Sequence, residues 1–111
     1  MDKVKIGNYD YKKNFTDKTL VFECQECKGI IDYNFHEILI NNKVQDKQGM
    51  VQTLLHEVLH GLVNERKIDF NSDEENVIDE LSIAFLQIII DNPNFVEKIL
   101  KMMKSVKEEN N

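Results

Sequence analysis

The hydrophobic positions change their period part-way along the chain. Up to about residue 45 they come in short runs that read as β-structure. Leu20-Val21-Phe22 is one apolar run. Gly29-Ile30-Ile31-Asp32-Tyr33 and His36-Glu37-Ile38-Leu39-Ile40 predict two strands around a turn at Asn34-Phe35, and Asn41-Asn42 closes the second. From about Lys47 the pattern becomes helical. Val51, Leu54, Leu55, Val58, Leu59, Leu62 and Val63 recur at helical spacing and fill one broad arc. Arg66-Lys67 suits the negative end of that helix.

A second helix is expected from near Ser72. Ser72-Asp73-Glu74-Glu75 has a capping-box pattern, and Asp73 and Glu74 suit a positive helix end. Its apolar stripe is Ile78, Leu81, Phe85, Ile88 and Ile89. Asp91-Asn92-Pro93 stops it, with Asn92 as a cap and Pro93 opening a third helix that runs to about Val106. Phe95, Val96, Ile99, Leu100 and Met103 form the apolar set of that helix, and Met50, Met102 and Met103 read as core filler. The expected architecture is α+β: an N-terminal antiparallel sheet of about three strands packed on three helices. All 111 residues are assigned to a single domain, with 1–18 and 107–111 as flexible ends.

Composition narrows the functional classes. Fourteen Lys and Arg stand against 20 Asp and Glu, a formal net charge of -6. Such a surface repels phosphates, so no nucleic-acid or anionic-membrane partner is expected. The longest apolar run, Ile83 to Ile90, is far too short to span a bilayer. Met1-Asp2-Lys3-Val4-Lys5 lacks the apolar stretch of a signal peptide, so a cytoplasmic location is expected.

The chemistry concentrates in His56-Glu57-Val58-Leu59-His60, an HExxH pattern. Two histidines one helical turn apart point the same way, so both imidazoles can bind one zinc ion. They border the apolar arc rather than lying opposite it. Glu57 then stands beside the open coordination position. There it can act as general base, taking a proton from water as it attacks a carbonyl and passing it to the leaving amine.

A site of this type needs a third protein ligand, and three acidic residues of the second helix compete. Glu80 lies 20 positions after His60, the spacing of the thermolysin-like pattern. Counted from Glu75, however, Glu80 falls about 140° round the helix and the centre of the apolar stripe about 290°, so Glu80 faces water. Glu75 and Asp79 are one turn apart on the stripe's edge. Glu75 has the longer reach and is assigned as ligand. Asp79 is placed to accept a hydrogen bond from a ligand imidazole; Asp79 as the ligand is the alternative. Glu75 could instead simply bond the Ser72 backbone N–H in the capping box.

Thr53-Leu54-Leu55-His56-Glu57-Val58-Leu59-His60-Gly61 resembles the active-site helix of small phage and mobile-element metallopeptidases of the ImmA/IrrE-like, zincin-type group. Glu75-x-x-x-Asp79-x-Leu81, Phe85-Leu86-Gln87, Asp91-Asn92-Pro93 and the Gly29-x-Ile31-Asp32-Tyr33 hairpin resemble other parts of such proteins. The resemblance covers roughly residues 20–96. It implies a minimal zincin-like fold, a zinc ion, and a glutamate on the next helix as third ligand, which by position is Glu75. The implied function is hydrolysis of a peptide bond in a polypeptide, such as a phage or host regulator. The sequence departs from the pattern in one respect: no His or Tyr follows His60 to stabilise an oxyanion. Tyr33 and His36, from the hairpin, are the candidates for that role.

Cys24-Gln25-Glu26-Cys27 is read as a β-turn carrying two thiols, since a structural zinc site needs four ligands and no second cysteine pair exists. The strand His36–Ile40 has two readings: an edge that holds an extended peptide beside the active helix, or an ordinary strand of the sheet. The rival functional class is a non-catalytic module that keeps zinc for stability and binds a partner protein. The intact Glu57 argues against it, because a purely structural zinc needs no base.

Overall fold

The computed structural model describes residues 2–71 and 73–110. Its first half holds six strands: β1 (Lys3–Ile6), β2 (Tyr9–Thr16), β3 (Leu20–Phe22), β4 (Gln25–Cys27), β5 (Gly29–Asp32) and β6 (Glu37–Asn41). Three helices follow: α1 (Lys47–Arg66), α2 (Glu74–Asp91) and α3 (Pro93–Glu109). The fold is α+β.

The main sheet has the order β1-β2-β6-β5, and β3 and β4 form a separate hairpin. The expected sheet was antiparallel; the observed one is mixed, because β2 and β6 run parallel. The difference arises within residues 1–18, expected to be flexible. They supply β1 and β2, joined through Gly7-Asn8, with Gly7 at φ 63° where a tight hairpin needs a left-handed first residue. Most of β2 is polar and exposed, which hides it from a reading of apolar runs. Its one fully buried side chain, Tyr11, donates a 2.6 Å hydrogen bond to Glu65 of α1.

Ile6, Tyr11, Ile38 and Ile40 form the buried core, with Ile31, Met50, Leu54 and Val58 packed against it. This cluster joins α1 to one face of the sheet. The Asp46 carboxylate caps α1 by accepting from the Gly49 N–H at 2.8 Å. Lys67 ends it in a left-handed conformation, its N–H bonded to the carbonyls of Val63 and Asn64.

Asp73 caps α2 by accepting from the Asn76 N–H. Ser72, expected to open this helix, lies outside the described residues. The buried line of α2 is Ile78, Ser82 and Leu86. Leu81, Phe85 and Ile88, expected on the buried stripe, are instead about half exposed. The helix is thus rotated so that Glu75 and Asp79 turn toward α1. The third helix continues three residues beyond the expected Val106, to Glu109. It buries no residue, and Met102 and Met103, expected in the core, are exposed. Among the described residues no helix is long and apolar enough to cross a membrane.

Candidate metal centre

His56, Glu57 and His60 all lie on α1, and α2 crosses their side of it in the opposite direction. Its first turn faces His60, and its second faces His56. Glu75 reaches over both rings. Its Oε1 is 2.7 Å from His60 Nε2 and 3.3 Å from His56 Nε2, and the two Nε2 atoms are 3.1 Å apart. Two ligand atoms on a tetrahedral zinc are roughly 3.3 Å apart, from bond lengths of about 2.0–2.1 Å. The three atoms therefore span one face of such a site, and His56, His60 and Glu75 could hold a metal ion. Glu80 is exposed, as its helical position requires.

Each imidazole has a further carboxylate on its other nitrogen. Asp79 Oδ1 stands 3.5 Å from His56 Nδ1, the placement expected of it, although beyond a good hydrogen bond. Glu74 Oε2 is only 2.8 Å from His60 Nδ1. Sequence reasoning assigned Glu74 to the helix dipole and missed this contact. The signal was present: His60 lies one turn beyond His56, so an antiparallel α2 must present its very first residues to that ring.

A carboxylate can only accept, so His60 Nδ1 carries a proton toward Glu74. Without metal, Nε2 faces Glu75 at 2.7 Å and gains from a proton too. Burial lowers the His60 pKa, but the bonds to Glu74 and Glu75 outweigh it and hold it above the ordinary value. Glu75 responds in the opposite sense. Burial raises its pKa, but the bond from His60 and the charge of His56 hold it below the ordinary carboxylate value. A metal ion would take the place of the His60 Nε2 proton.

Glu57 is the buried member of the group, 8% exposed. Burial pushes its pKa up, opposed by the two histidines and assisted by Glu75. It sits beside Gly29, where β5 packs tightly on α1. A Cβ placed on Gly29 would stand 2.5 Å from Thr53 Cγ2 and 3.3 Å from Glu57 Oε2, so only glycine allows this approach.

Between β5 and the two helices lies a cleft of about 990 Å³. One wall is Lys28, Gly29, Ile30, Ile31 and Tyr33; the opposite wall is α1 and α2, bearing His56, Glu57, His60, Glu75 and Asp79. The β3–β4 hairpin closes one end with Phe22, Glu23, Gln25 and Cys27. Glu23 and Cys24 form its turn, both left-handed, and both cysteines are free thiols as expected. The edge strand at the cleft is β5. Of the two readings of His36–Ile40, the structure has the ordinary sheet strand: it corresponds to β6 and is interior, because β2 occupies its other side.

The two candidate oxyanion donors separate. Tyr33 lines the cleft, and burial together with Glu74, Glu57 and Glu75 pushes its pKa up to about 12, so its hydroxyl keeps its proton. His36 does not line the cleft. It ends the turn in a left-handed conformation and stacks on Tyr9, with ring centroids 4.3 Å apart, against the edge of Tyr11. No protein family model, curated protein or solved structure matches the chain.

Proposed function

We propose that the chain is a zinc-dependent metallopeptidase-type protein that hydrolyses a peptide bond of an extended polypeptide. The observation that carries this reading is Glu57, a buried carboxylate opening into the same cleft as His56, His60 and Glu75. A metal held only for stability needs no carboxylate beside it. Two imidazoles, one carboxylate and an open fourth position favour zinc of the catalytic kind. When bound, zinc would supply Lewis acidity, polarising a carbonyl and making water acidic near neutral pH.

The chain's own residues divide the remaining work. The exposed edge of β5 offers backbone N–H and C=O groups to an extended peptide, fixing its direction across the cleft. Glu57, its pKa raised by burial, takes a proton from the attacking water and delivers it to the amine as the C–N bond breaks. Tyr33 offers its hydroxyl proton to the carbonyl oxygen as negative charge develops there.

The test begins with metal analysis of the purified chain. About one zinc per chain, lost in His60→Ala, is expected. Absence of metal after zinc loading overturns the reading. Cleavage is then read by mass spectrometry on a peptide library. Glu57→Gln should keep the metal and lose cleavage. A zinc-loaded chain with no Glu57-dependent cleavage is the non-catalytic module instead.

A further inference from the structure

We propose that two copies of this chain associate through the outer faces of α2 and α3, with α3 of each copy laid along α2 of the other. The proposal is independent of the metal centre. It starts from α3, which is amphipathic yet buries nothing within its own chain. Phe95, Ile99, Leu100, Met102, Met103 and Val106 lie on one arc of about 160° and are 41–61% exposed. One residue, Asn92, joins α3 to α2, and α2 is the one element that α3 touches to any extent. A helix so connected cannot fold back along its own α2.

The surface that fits α3 is on this same molecule. Rotation of α2 toward the metal centre leaves Leu81, Phe85 and Ile88 on an outward apolar arc, 46–53% exposed. The lengths match: α2 has 18 residues and α3 has 17, so each is about 25 Å long. The charges are complementary. On α3, Lys98 and Lys104 stand about 40° outside the two edges of the apolar arc and Lys107 lies within it, against Glu109 about 20° outside one edge. On α2, Asp91 and Glu80 lie about 60° and 80° beyond the outer edge of its arc. Among the described residues neither Glu80 nor any lysine of α3 has an ion-pair partner.

Size is also adequate. Two helix faces about 25 Å long and about 10 Å wide project on the order of 500 Å² per copy. A symmetric pair then covers on the order of 1,000 Å² in total, the lower threshold for a biological interface and the size of a weak, reversible dimer. The arrangement is isologous, since each copy gives the same two faces, and it therefore closes at a dimer.

Sedimentation equilibrium on the purified chain, from about 1 to about 100 μM, tests this. The expected mass rises with concentration toward that of two chains. Leu100→Glu and Phe85→Glu should each raise the dissociation constant by about tenfold or more. The double variant Lys98→Glu/Lys104→Glu should weaken association, and adding Glu80→Lys to the same chain should recover part of the loss. If circular dichroism finds Leu100→Glu or Phe85→Glu unfolded, the charge reversals at exposed positions decide. A monomer throughout the range overturns the proposal, as does a dimer indifferent to the apolar variants. A weakened dimer that Glu80→Lys fails to recover overturns the placement of α3 on α2.

Discussion

Glu74 Oε2 lies 2.8 Å from His60 Nδ1, while the next residue, Glu75, reaches the same ring's Nε2 at 2.7 Å. One turn of α2 thus grips both nitrogens of one imidazole. The Glu74 contact fixes the ring's rotation and its tautomer, so Nε2 is the atom presented to a metal. Glu74→Ala should weaken metal binding by about 10–100-fold. Glu74→Gln should weaken it less, since the amide oxygen still accepts the Nδ1 proton. Competition with a chromophoric chelator measures both, and unchanged affinity in Glu74→Ala sinks the assignment.

The candidate ligand group was legible in the sequence because its members obey helical geometry. His56 and His60 share a face by spacing alone, and the edge position of Glu75 separates it from Glu80. Glu74 was not legible from the wheel. At the first position of α2, its side chain is governed by how the two helices cross, which is set by tertiary packing. The sheet was half legible for a similar reason. The β5–β6 hairpin carries apolar runs, whereas β2 is a mostly polar strand whose place depends on Tyr11 reaching Glu65 across the fold. Because β2 was hidden, β6 could be read as an edge and His36 as a residue near the site. The outward turn of Leu81, Phe85 and Ile88 was hidden too: an apolar stripe says that a face will be covered, not by which molecule.

The raised His60 pKa and the lowered Glu75 pKa imply opposite pH behaviour with and without metal. In the metal-free chain, the raised His60 pKa gives stability that is complete below the ordinary 6.5 and lost as pH rises through the folded value. The lowered Glu75 pKa gives stability that is present above the ordinary 4.5 and lost as pH falls through its folded value. Both contributions are complete between those two ordinary values. The metal-free melting temperature should therefore decline as pH rises above the ordinary 6.5. Zinc affinity should increase over the same rise, because the ion displaces the His60 Nε2 proton. A metal-free melting temperature that climbs with that rise, with zinc affinity flat, contradicts the His60–Glu74–Glu75 arrangement.

Gly29 links the sheet to the site. A methyl group there would press on the Thr53 methyl at 2.5 Å and approach Glu57 Oε2 and the Leu39 carbonyl oxygen at 3.3 Å. Thr53 is β-branched and stiff at χ1, and the Leu39 oxygen belongs to the sheet backbone, so neither yields cheaply. Gly29→Ala should destabilise by about 1–3 kcal/mol through forced separation of β5 from α1. Denaturant unfolding measures the loss. The same separation should lower cleavage more than metal affinity, since the displaced group is Glu57 and not a ligand. A variant as stable and as active as the parent would show that β5 can move away from α1 freely.

Tyr33 offers the sharpest division between a catalytic and a structural role. Tyr33 lines the cleft with Glu57 and Glu75, and burial together with the charges of Glu74, Glu57 and Glu75 holds its pKa at about 12. It therefore remains a proton donor across the working pH range, with no alkaline limb of its own below about pH 10. Tyr33→Phe keeps the ring and removes only the donor. If the hydroxyl stabilises developing charge on a carbonyl oxygen, kcat should fall by about 10²–10³ while KM and zinc affinity change little. A hydroxyl that merely helps to bind substrate would raise KM and leave kcat alone. Equal values of both constants in Tyr33→Phe would remove Tyr33 from the chemistry, leaving Glu57 and the metal ligands to account for whatever cleavage is observed.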